Sequence, residues 1–258
     1  MVNDSLPQWG GELSVDDAHL TLMRENYKFT AVSGKFSFAD SFIESSPVTA
    51  KIDNRPVKVK VETRQIDKDV NYHIDIEAYL DSKTVLSPIP KVREYIGGFA
   101  NWDVDIDIAG SAIKNNELVG VKISSDLKEV ESKIYGPLFK SVDEPMSLLM
   151  NVKVMEDSTV SYDLTLPGDK YFKLEEFEAY RHLYANTPSI KGTLKEYKDD
   201  GLSKPIEIDL EYFDVDAFLQ ADKDIGDLIK DKELSKMHPD DFLPIRFKTR
   251  NMNWKKFD

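Results

Sequence analysis

The chain has 258 residues, of which 31% are charged and 41% hydrophobic, with no cysteine and a formal net charge of -13. Such a composition describes a folded chain, long enough to bury a sizeable core without disulfide or metal staples. The acidic balance argues against a nucleic-acid groove and against adsorption on anionic headgroups. The missing thiols exclude cysteine-based zinc sites and thiol catalysis, and no apolar run approaches the ~18 residues of a membrane-spanning helix.

Taken in chain order, apolar and polar side chains alternate over residues 13–15, 20–22, 32–38, 48–52, 57–62 and 70–76. Successive side chains of a strand point to opposite faces, so each run predicts a strand with one oily and one wet face. Asp16-Asp17, Glu25-Asn26 and Asn54-Arg55-Pro56 read as turns between these runs. Residues 87–98 predict a short helix, with Ser87 as its cap, Pro88 in its first turn and Gly97 as its stop.

The alternation resumes at 102–108, 119–123, 148–154 and 160–166. Leu174, Phe177, Tyr180, Arg181 and Tyr184 then follow a helical spacing. Strands return at 190–194 and 206–210, and an apolar stripe over 214–237 predicts helix, with Asp214 as cap and Gly226 splitting it. Residues 245–247 start a further strand, and the chain stops inside strand-like sequence, as expected of a piece of a longer protein. Many short one-sided strands predict a mainly β, antiparallel architecture.

Catalytic constellations are missing from the pattern. His19, His73, His182 and His238 are scattered, and His19 and His73, at polar strand positions, are expected on the surface. Asp103, Asp105 and Asp107 share one strand face but sit about 6–7 Å apart, too far to close on one calcium ion. They are expected to form a solvated face with Lys58 and Lys60 as cross-strand partners. No phosphate loop, nucleophile elbow or dinucleotide fingerprint occurs. The chain reads as a non-enzyme with no cofactor, no metal site and no nucleic-acid partner.

Two passages make the reading specific. Ser125-Asp126-Leu127, followed by Pro137-Leu138-Phe139-Lys140 and Glu144-Pro145, resembles a passage of the YhdP proteins of the AsmA-like family. Val32-Ser33-Gly34-Lys35-Phe36, continuing to Arg55-Pro56-Val57, is similar to a recurring strand unit of the same group. Residues 206–214 and 243–247 match strands of that group in the same order.

The resemblance implies an elongated, highly twisted antiparallel sheet forming a repeating β-groove, with a few short helices packed on it. It also implies a periplasmic location, a parent protein anchored in the Gram-negative inner membrane, and a role in conducting phospholipids that supports outer-membrane integrity. On that reading residues 1–258 are a single groove segment excised from a longer protein, with phospholipid acyl chains as partners and its envelope protein partners unidentified.

The candidate lipid-lining residues are Val57, Val59, Val61, Val104, Ile106, Val119, Val121, Val152, Val154 and Leu164. The alternatives are a closed β-sandwich serving as a scaffold or interaction module of the envelope, and a carbohydrate-active protein. The latter would need paired carboxylates and clustered aromatics, whereas Trp9, Trp102 and Trp254 are dispersed. A groove and a sandwich differ in whether the apolar face stays open.

Overall fold

The computed structural model describes residues 10–22, 27–66, 69–85, 95–110, 116–133, 139–198, 205–216 and 245–254. The alternating runs become β1 (Gly10–Leu22), β2 (Tyr27–Ala39), β4 (Val48–Ile52), β5 (Arg55–Ile66), β6 (Asp69–Asp81), β7 (Ile96–Ala109) and β8 (Glu117–Ser125). They continue as β10 (Leu148–Met155), β11 (Val160–Leu166), β14 (Ile190–Tyr197), β15 (Ile206–Asp214) and β16 (Ile245–Asn253). Four strands were not predicted: β3 (Phe42–Ser45), β9 (Glu129–Ser132), β12 (Lys170–Glu176) and β13 (Tyr180–Asn186).

All sixteen belong to one sheet, in the order β1-β2-β3-β5-β6-β7-β8-β10 and then β11 to β16 in sequence, with β4 beside β2 and β5 and β9 beside β7. Every ladder is antiparallel except β15 with β16, which is parallel. A parallel pair needs a crossover of a dozen or more residues, a length the 215–244 connection supplies. Among the described residues β1 and β16 do not pair, so the sheet does not close into a barrel.

Local chemistry explains the joints. Asp53 and Asn54 both have positive φ, 47° and 61°, where Ile52 faces Arg55. That is the two-residue hairpin whose twist suits its strands. The turn expected at Asp16-Asp17 is instead an irregularity inside β1, where the register shifts between Val15 and Ala18. Asp17 takes φ 48° and its N–H donates to Ser33 Oγ at 3.0 Å. The extra residue is absorbed as a bulge and the strand continues.

Two helix expectations are corrected. Leu174, Phe177, Tyr180, Arg181 and Tyr184 fall on the β12–β13 hairpin, where Leu174 faces Leu183 and Glu176 faces Arg181. Their helical spacing is an accident of two alternating strands meeting at a short turn. Ile96, Gly97 and Gly98 open β7 rather than ending a helix. Gly98 has φ 110°, and a Cβ there would lie 2.1 Å from Glu129 O, so glycine is what lets β9 pair closely. The rest of that predicted helix, 86–94, lies outside the described residues, as do 217–237 of the predicted 214–237 helix, whose Val215 and Asp216 are helical. The one helix with described bounds, α1 (Ser82–Val85), is a single turn.

A closed core lies toward one strand end of β4 to β7. Ile52, Val57, Ala78, Leu80, Ala100 and Trp102 are buried beneath Leu127 and Val130. The chain after β8 makes this lid. Met146 N–H donates to Asp126 O, and Lys140, 1% exposed, donates through Nζ to Val130 O at 2.6 Å and Ser141 O at 3.0 Å. Burial pushes the Lys140 ammonium below its usual range. Two carbonyls offset part of that cost and tie the lid down.

Candidate functional site

Directly paired residues point to the same side of a sheet, so the register traces rows across its face. From Val61 one row runs through Ile74, Ile106, Val121, Val152 and Tyr162. It continues through Leu174, Leu183, Leu194, Ile208 and Phe247. Each strand from β5 to β16, β9 apart, gives it one apolar or aromatic side chain. Ten strand-to-strand steps of ~4.8 Å make a band about 48 Å long.

A second row, two residues along each strand, holds Val59, Ile76, Val104, Ile123, Met150, Leu164, Phe172 and Ala185. It then reaches Gly192, where a Cβ would lie 2.4 Å from Asp209 O, so the strands close tightly at that bulge. Every side chain of the first row is partly or well exposed, and Phe247 is 46% exposed. A sandwich core would bury these positions. Among the described residues the apolar face is covered around Trp102 and buried again at Leu166 and Leu210, while the first row stays partly exposed.

The other face is mostly charged and polar, with a Tyr171–Tyr184 ring pair among its side chains. Lys58 pairs with Glu77 at 3.3 Å, Lys153 with Glu117 at 2.8 Å, Lys173 with Glu175 at 2.7 Å and Lys248 with Asp209 at 3.1 Å. Hydrogen bonds from Lys60 and Arg64 hold the Glu62 carboxyl down at about 2. Lys58 and Lys60 therefore do not pair with Asp103, Asp105 and Asp107, which lie a strand further on. Asp105 meets Lys122 at 3.9 Å, and Asp107 meets His73 at 2.7 Å.

His73 corrects a second expectation. It lies on the charged face as read, yet it is only 5% exposed, because β5 and β7 flank its strand and their long side chains close over it. It borders a depression of about 480 Å³ together with Arg64, Asp75, Asp105, Asp107 and Lys122. Nδ1 lies 2.7 Å from Asp107 Oδ1, and Nε2 lies 2.7 Å from Asp75 Oδ1. His73, Asp75 and Asp105 bring one donor atom each within 4.8 Å of one another, a set able to hold a metal ion.

Two carboxylate acceptors on two ring nitrogens call for the doubly protonated ring. Burial works to lower the His73 pKa, but the bonds from Asp107 and Asp75 outweigh it and raise it. A raised folded-state pKa gives stability that is full below the unfolded value of ~6.5 and is lost as pH rises through the folded value. Thermal melts from pH 5 to 9 are expected to show this decline in the native chain, and His73→Gln is expected to flatten it. An unchanged profile in the variant would assign the decline to other groups.

The family model described as "YhdP protein" matches residues 3–257. The chain belongs to the YhdP family. It is also similar to the "Intermembrane phospholipid transporter YhdP" of Escherichia coli (strain K12), 31% identical over 169 residues. That match covers 64% of this chain and 13% of the relative, so the chain spans a small part of the relative's length. No solved structure matches.

In this YhdP-family chain nine of the ten candidate residues, Val59, Val61, Val104, Ile106, Val119, Val121, Val152, Val154 and Leu164, lie partly exposed on the one apolar face. Val57 shares that face but is 1% exposed beneath the lid. Sequence reasoning missed the far half of the row, Leu174 and Leu183 above all, because their segment was read as helix. The signal is present: after the Gly168-Asp169 turn, Phe172 and Leu174 alternate with Tyr171, Lys173 and Glu175.

Proposed function

We propose that the chain is a non-enzymatic section of a lipid-conducting β-sheet groove in the cell envelope. Its open apolar face carries phospholipid acyl chains between the inner and outer membranes through the periplasm. The observation that supports this reading is the unbroken register row from Val61 to Phe247, apolar or aromatic on each of the eleven strands it crosses and partly exposed throughout. Exposing a chain of ~16 carbons to water costs on the order of 12 kcal/mol at ~0.8 kcal/mol per methylene. A carrier must therefore offer continuous apolar surface. A half-bilayer is ~15 Å thick, so a band of about 48 Å exceeds the length of one acyl chain.

The charged opposite face keeps the sheet in water while the apolar face is occupied. The similarity to a transporter supports the non-enzymatic reading. On this reading residues 1–258 act as one segment of a longer groove, in a parent protein held at the inner membrane. Native mass spectrometry of the purified chain, with lipid extraction, tests it. Co-purifying phospholipid is expected at about one or more molecules per chain, by the ~48 Å length of the band. A lipid-free chain that also takes up none from vesicles would overturn it.

A further inference from the structure

The open face is not apolar everywhere. A third row, bordering the Val61–Phe247 row, runs through Ile108, Val119, Val154 and Val160 and then changes character within one strand step. Its next members are Glu176, Arg181 and Glu196, directly opposite one another on β12, β13 and β14. Each stands two residues from Leu174, Leu183 or Leu194 on its own strand, so the charged rung lies ~7 Å from the apolar row on the same face.

Arg181 Nε donates to Glu176 Oε1 at 2.8 Å, while its Nη1 stands 3.7 Å from Glu196 Oε2, beyond hydrogen-bond reach. Of its five N–H donors, one is used among the described residues. The three side chains are 27%, 50% and 40% exposed in the order Glu176, Arg181, Glu196. Tyr162, in the apolar row, lies within electrostatic reach of Glu176 and Arg181, and its hydroxyl has no hydrogen-bond partner among the described residues.

We propose that the Glu176–Arg181–Glu196 rung is a headgroup site for a zwitterionic phospholipid, Arg181 taking the phosphate and the two carboxylates its ammonium. This deepens the groove reading and rests on it. The charge pattern argues for the class. The unused fork of Arg181 suits phosphate oxygens, which guanidinium binds with paired N–H donors. The flanking carboxylates give the rung a net negative charge, which favours a headgroup carrying its own cation and disfavours an anionic one. In phosphoethanolamine a two-carbon link separates the opposite charges, a spacing that rung members on adjacent strands ~4.8 Å apart can meet. The acyl chains then lie along Leu174, Leu183 and Leu194, next to the rung.

The test loads the purified chain from vesicles holding equal phosphatidylethanolamine, phosphatidylglycerol and diacylglycerol, then extracts and quantifies what is retained. The native chain is expected to enrich phosphatidylethanolamine at least about tenfold over both others, the low end of the scale of one charge-assisted hydrogen bond. Glu176→Gln with Glu196→Gln is expected to remove the preference over phosphatidylglycerol. Arg181→Gln is expected to remove the preference over diacylglycerol. Melting curves check folding, and should Arg181→Gln unfold, Arg181→Lys keeps the charge without the fork and supplies the comparison. Native-like headgroup ratios in all variants would overturn the rung while leaving the groove reading standing. A native chain that takes up no lipid would overturn the groove reading, and the rung with it.

Discussion

Val121→Asp is expected to cut the phospholipid retained by the purified chain at least tenfold while leaving its circular dichroism spectrum unchanged. Val121 stands in the middle of the apolar row, between Ile106 and Val152, and is partly exposed. A carboxylate there stays hydrated in the empty sheet, so folding loses little. Once an acyl chain covers it, the charge must be desolvated without a partner, at a cost of several kcal/mol. Since ~1.4 kcal/mol is tenfold in affinity, a tenfold loss is a lower bound. Lys122→Asp, one residue away on the charged face, is the control and should retain lipid normally. Equal retention in both variants would show that the two faces do not differ as the register implies.

The second large effect is on stability. Trp102→Ala is expected to destabilise the chain by about 3–5 kcal/mol, the range for removing a large aromatic side chain from a packed core. Trp102 is 5% exposed, lies in the cluster beneath Leu127 and Val130, and donates Nε1 to Leu80 O at 3.4 Å. At roughly 2–4 °C per kcal/mol for a chain of this size, the melting temperature should fall by about 6–20 °C. The same truncation at Phe247, 46% exposed at the sheet's far edge, should shift it by less than about 2 °C. A similar drop at both sites would mean that the open face is packed, and the contrast between a covered end and an exposed band would be lost.

What the sequence made legible follows from what alternation encodes. A run such as 102–108 declares its two faces without reference to its neighbours, so the wet and oily sides of β7 and β8 could be read directly. Alternation does not encode which strand pairs with which. The partners of Asp105 and Asp107 were therefore misassigned to Lys58 and Lys60 instead of Lys122 and His73. It does not encode flanking side chains either, so His73 was placed at the surface although a central strand between two charged neighbours buries it. The β12–β13 hairpin was lost because its turn residues put Leu174, Phe177, Tyr180, Arg181 and Tyr184 at a helical interval by chance. The lid was legible only as a motif: Lys140 belongs to the passage that carried the family resemblance, but its bond to Val130 O is a tertiary fact.

On the groove reading, lipid meets one face of this sheet and not the other. Photoreactive side chains placed singly at Ile106 and Val121, and at their outward-facing neighbours Asp105 and Lys122, test it most directly when irradiated in the envelope and read by mass spectrometry. Phospholipid adducts at Ile106 and Val121 with none at Asp105 and Lys122 is the predicted result. Adducts to protein alone at Ile106 and Val121, or lipid adducts equally on both faces, would contradict it.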